Sequence, residues 1–128
     1  RAAYEHHLTA LKMREATLSA DHIDLGKSYG NMGQALQELG RYDEALEYLD
    51  RAIALFTARL GAEHPFVAMA YGMRAKTHEQ RPAFRALALR DYERAARVYE
   101  AAGPALADDA KLMRSRMQVL TAPDPTTP

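Results

Sequence analysis

Apolar residues recur at steps of three and four along most of the chain, which is the spacing of one face of an α-helix. A first clear stripe starts near Asp21 and stops at Gly40; its members are Leu25, Tyr29, Met32, Leu36 and Leu39. A second runs from about Tyr42 to Leu60, with Gly61 after it; its members are Ala45, Leu46, Leu49, Ala52, Ile53, Phe56 and Leu60. Since glycine commonly ends helices, the pattern predicts two amphipathic helices joined by a tight turn.

The residues before each stripe suggest where the helices begin. Asp21 is suited to cap the first of them, and Asp24 in its first turn interacts favourably with the helix dipole. Pro65 is suited to the first position of the next helix, where its missing N–H costs nothing. His22 and His64 occupy equivalent places, which we attribute to capping or to packing in the turn.

The sequence repeats itself with an offset of 42 residues. Identical pairs at that offset include Ala3/Ala45, Glu5/Glu47, Ala10/Ala52, Leu18/Leu60, His22/His64, Tyr29/Tyr71 and Gly30/Gly72. Beyond Pro82 the register shifts by one, so one extra residue has entered that turn. The unit that repeats is a pair of helices.

Small residues stand where the two helices of a pair must approach closely. They are Gly33, Ala45 and Ala52 in one pair, and Ala75, Ala88 and Ala95 in the next. A larger side chain at such a contact would overpack it.

These positions resemble the tetratricopeptide repeat, and the segment from Leu60 to Ala68 looks like the inter-repeat segment of the kinesin-light-chain type. The matching residues are Tyr29, Met32, Gly33, Leu36, Gly40, Tyr42, Ala45, Leu49 and Ala52. The resemblance covers roughly residues 3–102 and implies an all-α fold, a right-handed superhelix of antiparallel helix pairs with about six helices. Three residues depart from the family pattern: Arg74 and His78 replace a leucine and a tyrosine, and Pro82 replaces the glycine at Gly40.

The expected organisation is a single domain over residues 1–120. Residues 1–20 form the second helix of a first repeat, 21–62 a complete repeat, and 63–103 a third. A helix over 104–120, in which Leu106, Ala110, Met113, Met117 and Leu120 recur at helical spacing, is predicted to cap the array. The Pro-rich tail, residues 121–128, is predicted to be disordered.

Composition agrees with this fold and excludes several kinds of chemistry. The 128 residues include 25 Ala and 15 Leu but only 3 Val and 2 Ile, a balance that favours helix over sheet. With no cysteine, disulfides, thiolate metal sites and cysteine nucleophiles are excluded. No apolar run approaches the ~20 residues of a membrane-spanning helix, so we expect a soluble, cytoplasmic protein without a membrane partner.

The resemblance implies that the first helix of each pair lines an inner surface, and extended concave surfaces bind polypeptide segments. The family's inner positions fall on Lys27, Gly30, Asn31, Gln34 and Gln37, and on Met69, Gly72, Met73, Lys76 and Glu79. Amides can serve a peptide backbone, glycines let it approach, methionines adapt to apolar side chains, and lysines can receive a carboxylate. The dicarboxylate clamp pattern, with Lys and Asn four residues apart on the first inner helix, is absent, because Gly30 and Gln34 occupy those two positions.

Catalytic, metal-binding and cofactor roles are not expected. His6 and His7 are adjacent and cannot share one helix face, and Ser19, Ser28 and Ser115 lack the turn that activates a serine nucleophile. Only His78 lies on the implied inner helix. We therefore predict no enzyme activity, no metal and no cofactor.

Charge is uneven although the total is zero, with 17 basic and 17 acidic residues. Between Arg74 and Arg97 there are seven basic residues against three acidic ones, whereas the preceding helix pair is acidic. Because such charges also occur on ordinary helix surfaces, a nucleic-acid partner is not expected.

Two functional hypotheses remain open. The first is a module that binds a peptide or helix of a partner protein in the concave groove. The second is a structural role, in oligomerisation or in intramolecular regulation within a larger protein. The second rests on the first helix, whose face with Ala3, His7, Ala10 and Leu11 lacks a partner helix and could associate with a second copy.

Overall fold

The computed structural model describes residues 1–122, which form six α-helices and contain no strand. The helices are α1 (Ala2–Thr17), α2 (Ile23–Glu38), α3 (Tyr42–Leu60), α4 (Pro65–Glu79), α5 (Arg85–Ala101) and α6 (Ala107–Thr121). Short 3₁₀ turns, Pro82–Phe84 and Pro104–Leu106, precede α5 and α6. None of these helices combines the length and the apolar character that crossing a membrane requires.

Each helix packs against the next one along the chain, with α2 paired to α3 and α4 paired to α5. Helix α1 lies against α2, and α6 lies against α5. Helices α2 and α4 also touch each other directly, so the first helices of successive pairs form a row. This arrangement confirms the predicted all-α solenoid of antiparallel helix pairs.

Histidines, not the predicted Asp21, cap the repeated helices. His22 Nδ1 accepts a hydrogen bond from the backbone N–H of Asp24 at 3.1 Å, and His64 Nδ1 accepts one from Phe66 at 3.0 Å. The prediction of Asp21 was wrong because α2 begins at Ile23, which makes residue 22 the N-cap. Asp21 instead forms an exposed ion pair with Arg59 at 3.3 Å.

Helix ends follow the predicted glycines. Gly40 and Gly61 have φ of +77° and +92°, a left-handed conformation that side chains strongly disfavour. Helix α6 ends at Thr121, one residue beyond the prediction, and Leu106 belongs to the 3₁₀ turn before it. Apart from Thr121 and Ala122, the tail predicted to be disordered lies outside the described residues.

The predicted small residues do stand at the closest helix contacts. All five alanines of that set have no exposed surface. A Cβ atom added to Gly33 would lie 2.5 Å from Leu49 Cγ, and one added to Gly26 would lie 2.5 Å from Phe56 Cε1. Helices α2 and α3 therefore approach so closely that a Cβ atom does not fit at Gly26 and Gly33 without a shift of the facing side chain.

An ion pair takes the place of apolar packing in the third repeat. The Arg74 guanidinium donates from Nε and Nη2 to both carboxylate oxygens of Asp91, at 2.8 and 3.0 Å, and from Nη1 to Asp50 at 2.9 Å. Asp91 is only 5% exposed, so its charge depends on this partner. Arg74, one of the residues that depart from the family pattern, thus joins α3, α4 and α5.

Leu11, which was expected on an unpartnered face of α1, packs instead against α2. Leu11 is 3% exposed and packs in a cluster with Leu25 and Met32, so it belongs to the core. The prediction that Leu11 lies on an unpartnered face was wrong, because α1 uses this side to cover α2. Ala3 is exposed, and the large exposed apolar side chain on α1 is Met13.

Replacing Ala52 by leucine should destabilise the fold much more than replacing its near neighbour Ala54. Ala52 is fully buried between helices, whereas Ala54 is exposed on the same helix. We expect Ala52→Leu to lower the free energy of unfolding by about 1–3 kcal/mol, and Ala54→Leu to change it by less than about 0.5 kcal/mol. Urea denaturation followed by circular dichroism measures both; equal effects would contradict the close approach at Ala52.

Candidate functional site

Three adjoining cavities cross the row of first helices from α2 over α4 to α6. The cavity between α2 and α4 has a volume of about 70 Å³, the one between α4 and α6 about 260 Å³, and the one along the later part of α6 about 190 Å³. The first and second share Met73 and Lys76, and the second and third share Leu112 and Arg116. These three adjoining cavities are together called here the inner groove.

Most of the predicted binding residues line this inner groove. Six of them surround its first two cavities: Gln34, Gln37, Met69, Gly72, Met73 and Lys76. Glu79 lines the third cavity. The structure therefore brings residues from two successive repeats, which are offset by 42 residues in the sequence, onto one surface.

Lys27, Gly30 and Asn31 do not line these cavities. The Lys27 ammonium lies 4.0 Å from an Asp24 carboxylate oxygen and 5.2 Å from the centre of the Phe66 ring. Gly30 is buried, because Met73 of the next inner helix lies over it; a Cβ there would sit 3.6 Å from Met73 Sδ. The space above this glycine is thus taken by a neighbouring helix.

Helix α6 contributes groove residues that the sequence reasoning missed. Leu112 is 51% exposed and lines two cavities together with Arg116, while Met113 lines the central one and lies over Gly72. The helix was expected only to cap the array, so its inner side was not considered. The signal was present, since Leu112, Arg116 and Val119 recur at helical spacing beside the buried stripe.

The charged groups of the groove differ in how firmly they are held. The Tyr92 hydroxyl donates to Glu79, and Arg116 Nη1 lies 3.7 Å from the same carboxylate. Burial, reinforced by Glu79, raises the pKa of Tyr92, so the phenol stays protonated and remains a donor. Lys76 is exposed and has no carboxylate within ion-pair distance among residues 1–122, so its charge is available to a ligand.

A different cavity of about 280 Å³ lies between α3 and α5, with α4 at its base. It is called here the outer pocket, and its lining residues are Leu46, Asp50, Arg74, His78, Leu87, Arg90, Asp91 and Arg94. His78 is 9% exposed, and its Nδ1 is buried without a hydrogen-bond partner in the described part of the chain. Burial lowers the pKa of His78, and Arg74 and Arg81 act in the same direction, whereas Asp91 and Asp50 oppose it.

A further depression, of about 690 Å³, lies between the end of α5 and the side of α6, and Ser115 lines both it and the third cavity of the inner groove. Arg114 crosses this region and bonds to Glu93 and Glu100 of α5. Lys111, Ser115 and Gln118 complete a polar wall along α6. We attribute this surface to the attachment of α6, because Arg114 is paired there with Glu93 and Glu100 of α5.

Helix pairs stacked in a solenoid, with first helices aligned along a groove, define a helical-repeat protein. The family model of the tetratricopeptide repeat matches residues 1–58 and 24–101, and the chain belongs to this family. Proteins of this family are typically non-catalytic scaffolds for protein–protein interaction. No curated protein sequence matches the chain.

The fold is similar to the crystal structure of BtubC (BKLC) from P. vanneervenii, with a TM-score of 0.59 and 19% sequence identity. The match covers 98% of this chain and 60% of that one, so the chain spans less than two thirds of BtubC. At this identity the likeness concerns the fold, and the kinesin-light-chain type of repeat remains a prediction of the sequence.

Stability should fall in mild acid because of His78. Its pKa in the folded protein lies below the ordinary value of 6.5, so the unfolded chain binds the extra proton first as the pH falls. The contribution of neutral His78 to the free energy of unfolding is complete above about pH 6.5 and is lost progressively below that pH. The free energy of unfolding, measured by urea denaturation from neutral to mildly acidic pH, should therefore decrease.

The variant His78→Gln should show a shallower dependence on pH, since it removes the titrating group. His6→Gln is the matched control, because the His6 side chain is exposed. If both variants kept the pH slope of the parent protein, His78 would not be the group responsible.

Proposed function

We propose that the chain binds an extended peptide segment of a partner protein in the inner groove. The observation that carries this proposal is that the cavities of the groove adjoin one another, since Met73 and Lys76 line both the cavity at α2 and the cavity at α6. A row of adjoining cavities over three helices suits a linear segment better than it suits a compact small molecule.

The chemistry along the groove matches the needs of a peptide. Gln34 and Gln37 carry both donors and acceptors for a peptide backbone. Met69 and Met73 are flexible and polarizable, so they can fit apolar side chains of different shapes. Lys76 offers a free charge to an acidic side chain or to a C-terminal carboxylate.

The expected affinity is modest. The groove is formed by three helices, and its central cavity of about 260 Å³ accepts one or two side chains. We expect a dissociation constant in the micromolar range, and a nanomolar complex with a short peptide in this groove would argue against the proposal.

A cytoplasmic location remains a prediction of the sequence.

Selection from a random peptide library, followed by fluorescence anisotropy on the enriched peptides, tests the proposal. We expect Gln34→Ala and Lys76→Ala each to weaken binding by about fivefold to tenfold, because each removes hydrogen bonds to the ligand. Lys111→Ala is the matched control, since Lys111 is exposed on the polar side of α6. Enriched peptides that respond to Lys111 and not to Gln34 or Lys76 would place binding elsewhere.

A structural role through self-association is the second candidate, and one observation favours it. Met13 is 66% exposed on α1, and no helix among residues 1–122 covers the side of α1 that faces away from α2. In this second candidate, Met13 is the apolar side chain that contacts the second copy.

Sedimentation equilibrium over a wide concentration range tests this second candidate. If α1 mediates association, the parent chain should dimerise and Met13→Glu should abolish the dimer, because burying a carboxylate at the contact is unfavourable. Val119→Glu is the control, since Val119 is 75% exposed on a different helix. A parent protein that stays monomeric at all concentrations would eliminate the candidate.

A further inference from the structure

The outer pocket contains two arginines whose charges are not used within the described structure. Arg90 and Arg94 lie four residues apart on α5, so they share one face of that helix. Neither has a carboxylate within ion-pair distance among residues 1–122. Their neighbour Arg74, in contrast, is fully engaged by Asp91 and Asp50.

The Arg94 side chain is already held in place by the fold. Its guanidinium lies 5.4 Å from the centre of the Tyr71 ring, and its Nη1 donates to the Tyr71 hydroxyl at 3.3 Å. Because the planar group is positioned beforehand, less side-chain entropy is lost when it binds a ligand. Arg94 still has donors left for an anion, since a guanidinium carries five N–H groups.

The charge of the pocket favours a single anionic group. With His78 neutral, three arginines face two aspartates, which leaves a small positive excess on the side of Arg90 and Arg94. The rim is apolar at Leu46 and at Leu87, which is 39% exposed. A ligand that suits this arrangement carries a carboxylate and an apolar group next to each other.

We propose that the outer pocket binds an acidic segment of a protein partner, in which a glutamate or aspartate meets Arg90 and Arg94 and an adjacent apolar side chain covers Leu46 and Leu87. This second site lies between α3 and α5, whereas the inner groove is formed by α2, α4 and α6. The two sites can therefore be occupied independently.

An acidic protein segment fits this surface better than a nucleic acid does. Asp50 and Asp91 line the pocket beside the arginines, so a continuous row of phosphates would also meet carboxylates there. A peptide can present one carboxylate to the arginines and uncharged residues to α3. The apolar rim also has no counterpart in a phosphate backbone.

A fluorescein-labelled peptide of glutamates and leucines in a glycine-serine background is a direct probe, with anisotropy as the readout. The double variant Arg90→Gln/Arg94→Gln should weaken its binding by about tenfold or more, because two charge-assisted contacts are lost. The double variant Arg85→Gln/Arg97→Gln removes the same charge from exposed positions on the same helix and should change binding less than about twofold.

Amide shifts in a nuclear magnetic resonance titration locate the bound peptide. Shifts centred on Leu46 and Leu87, and absent at Met73 in the inner groove, would support the proposal. Several results would overturn it: no binding by the parent protein, equal loss in both double variants, or shifts centred on Met73. An oligouridine that competes for Arg90 and Arg94 more strongly than the peptide would assign the pocket to nucleic acid instead.

Discussion

The fold depends on the close approach of the two helices in each pair. Gly33 lets Leu49 reach the backbone of α2, and Ala52, with no exposed surface, marks the same tight contact further along α3. Since interiors are close-packed, a side chain added at these points has nowhere to go. The short distance within a pair is what allows the next pair to stack in register, and the groove along α2, α4 and α6 is a consequence of that stacking.

The third repeat keeps this geometry with different chemistry. Where the family pattern has apolar side chains, Arg74 bridges Asp91 and Asp50, and His78 stays neutral beside them. A buried ion pair of this kind adds little net stability but makes the loss of either partner costly. It also places charged groups at the base of the outer pocket, so a feature of the core determines the chemistry of a surface cavity.

The two faces of the solenoid differ in character. The inner groove is lined by methionines and amides with the free charge of Lys76, whereas the outer pocket combines a leucine rim with the arginines of α5. These differences arise because the inner groove lies along α2, α4 and α6, whereas the outer pocket lies between α3 and α5. A small repeat domain can in this way present two chemically distinct surfaces.

The sequence by itself determined the helices and their pairing, because the helical spacing and the 42-residue period can be read along the chain, whereas the candidate residues of the inner groove came from the resemblance to the tetratricopeptide repeat. It could not determine which side of a terminal helix faces the groove, so Leu112 and Arg116 of α6 were missed and Leu11 of α1 was assigned to the wrong face. Tertiary structure alone decided the Arg74–Asp91 pair and the burial of Gly30 beneath Met73. Such contacts depend on distances between elements far apart in sequence, which no periodicity encodes.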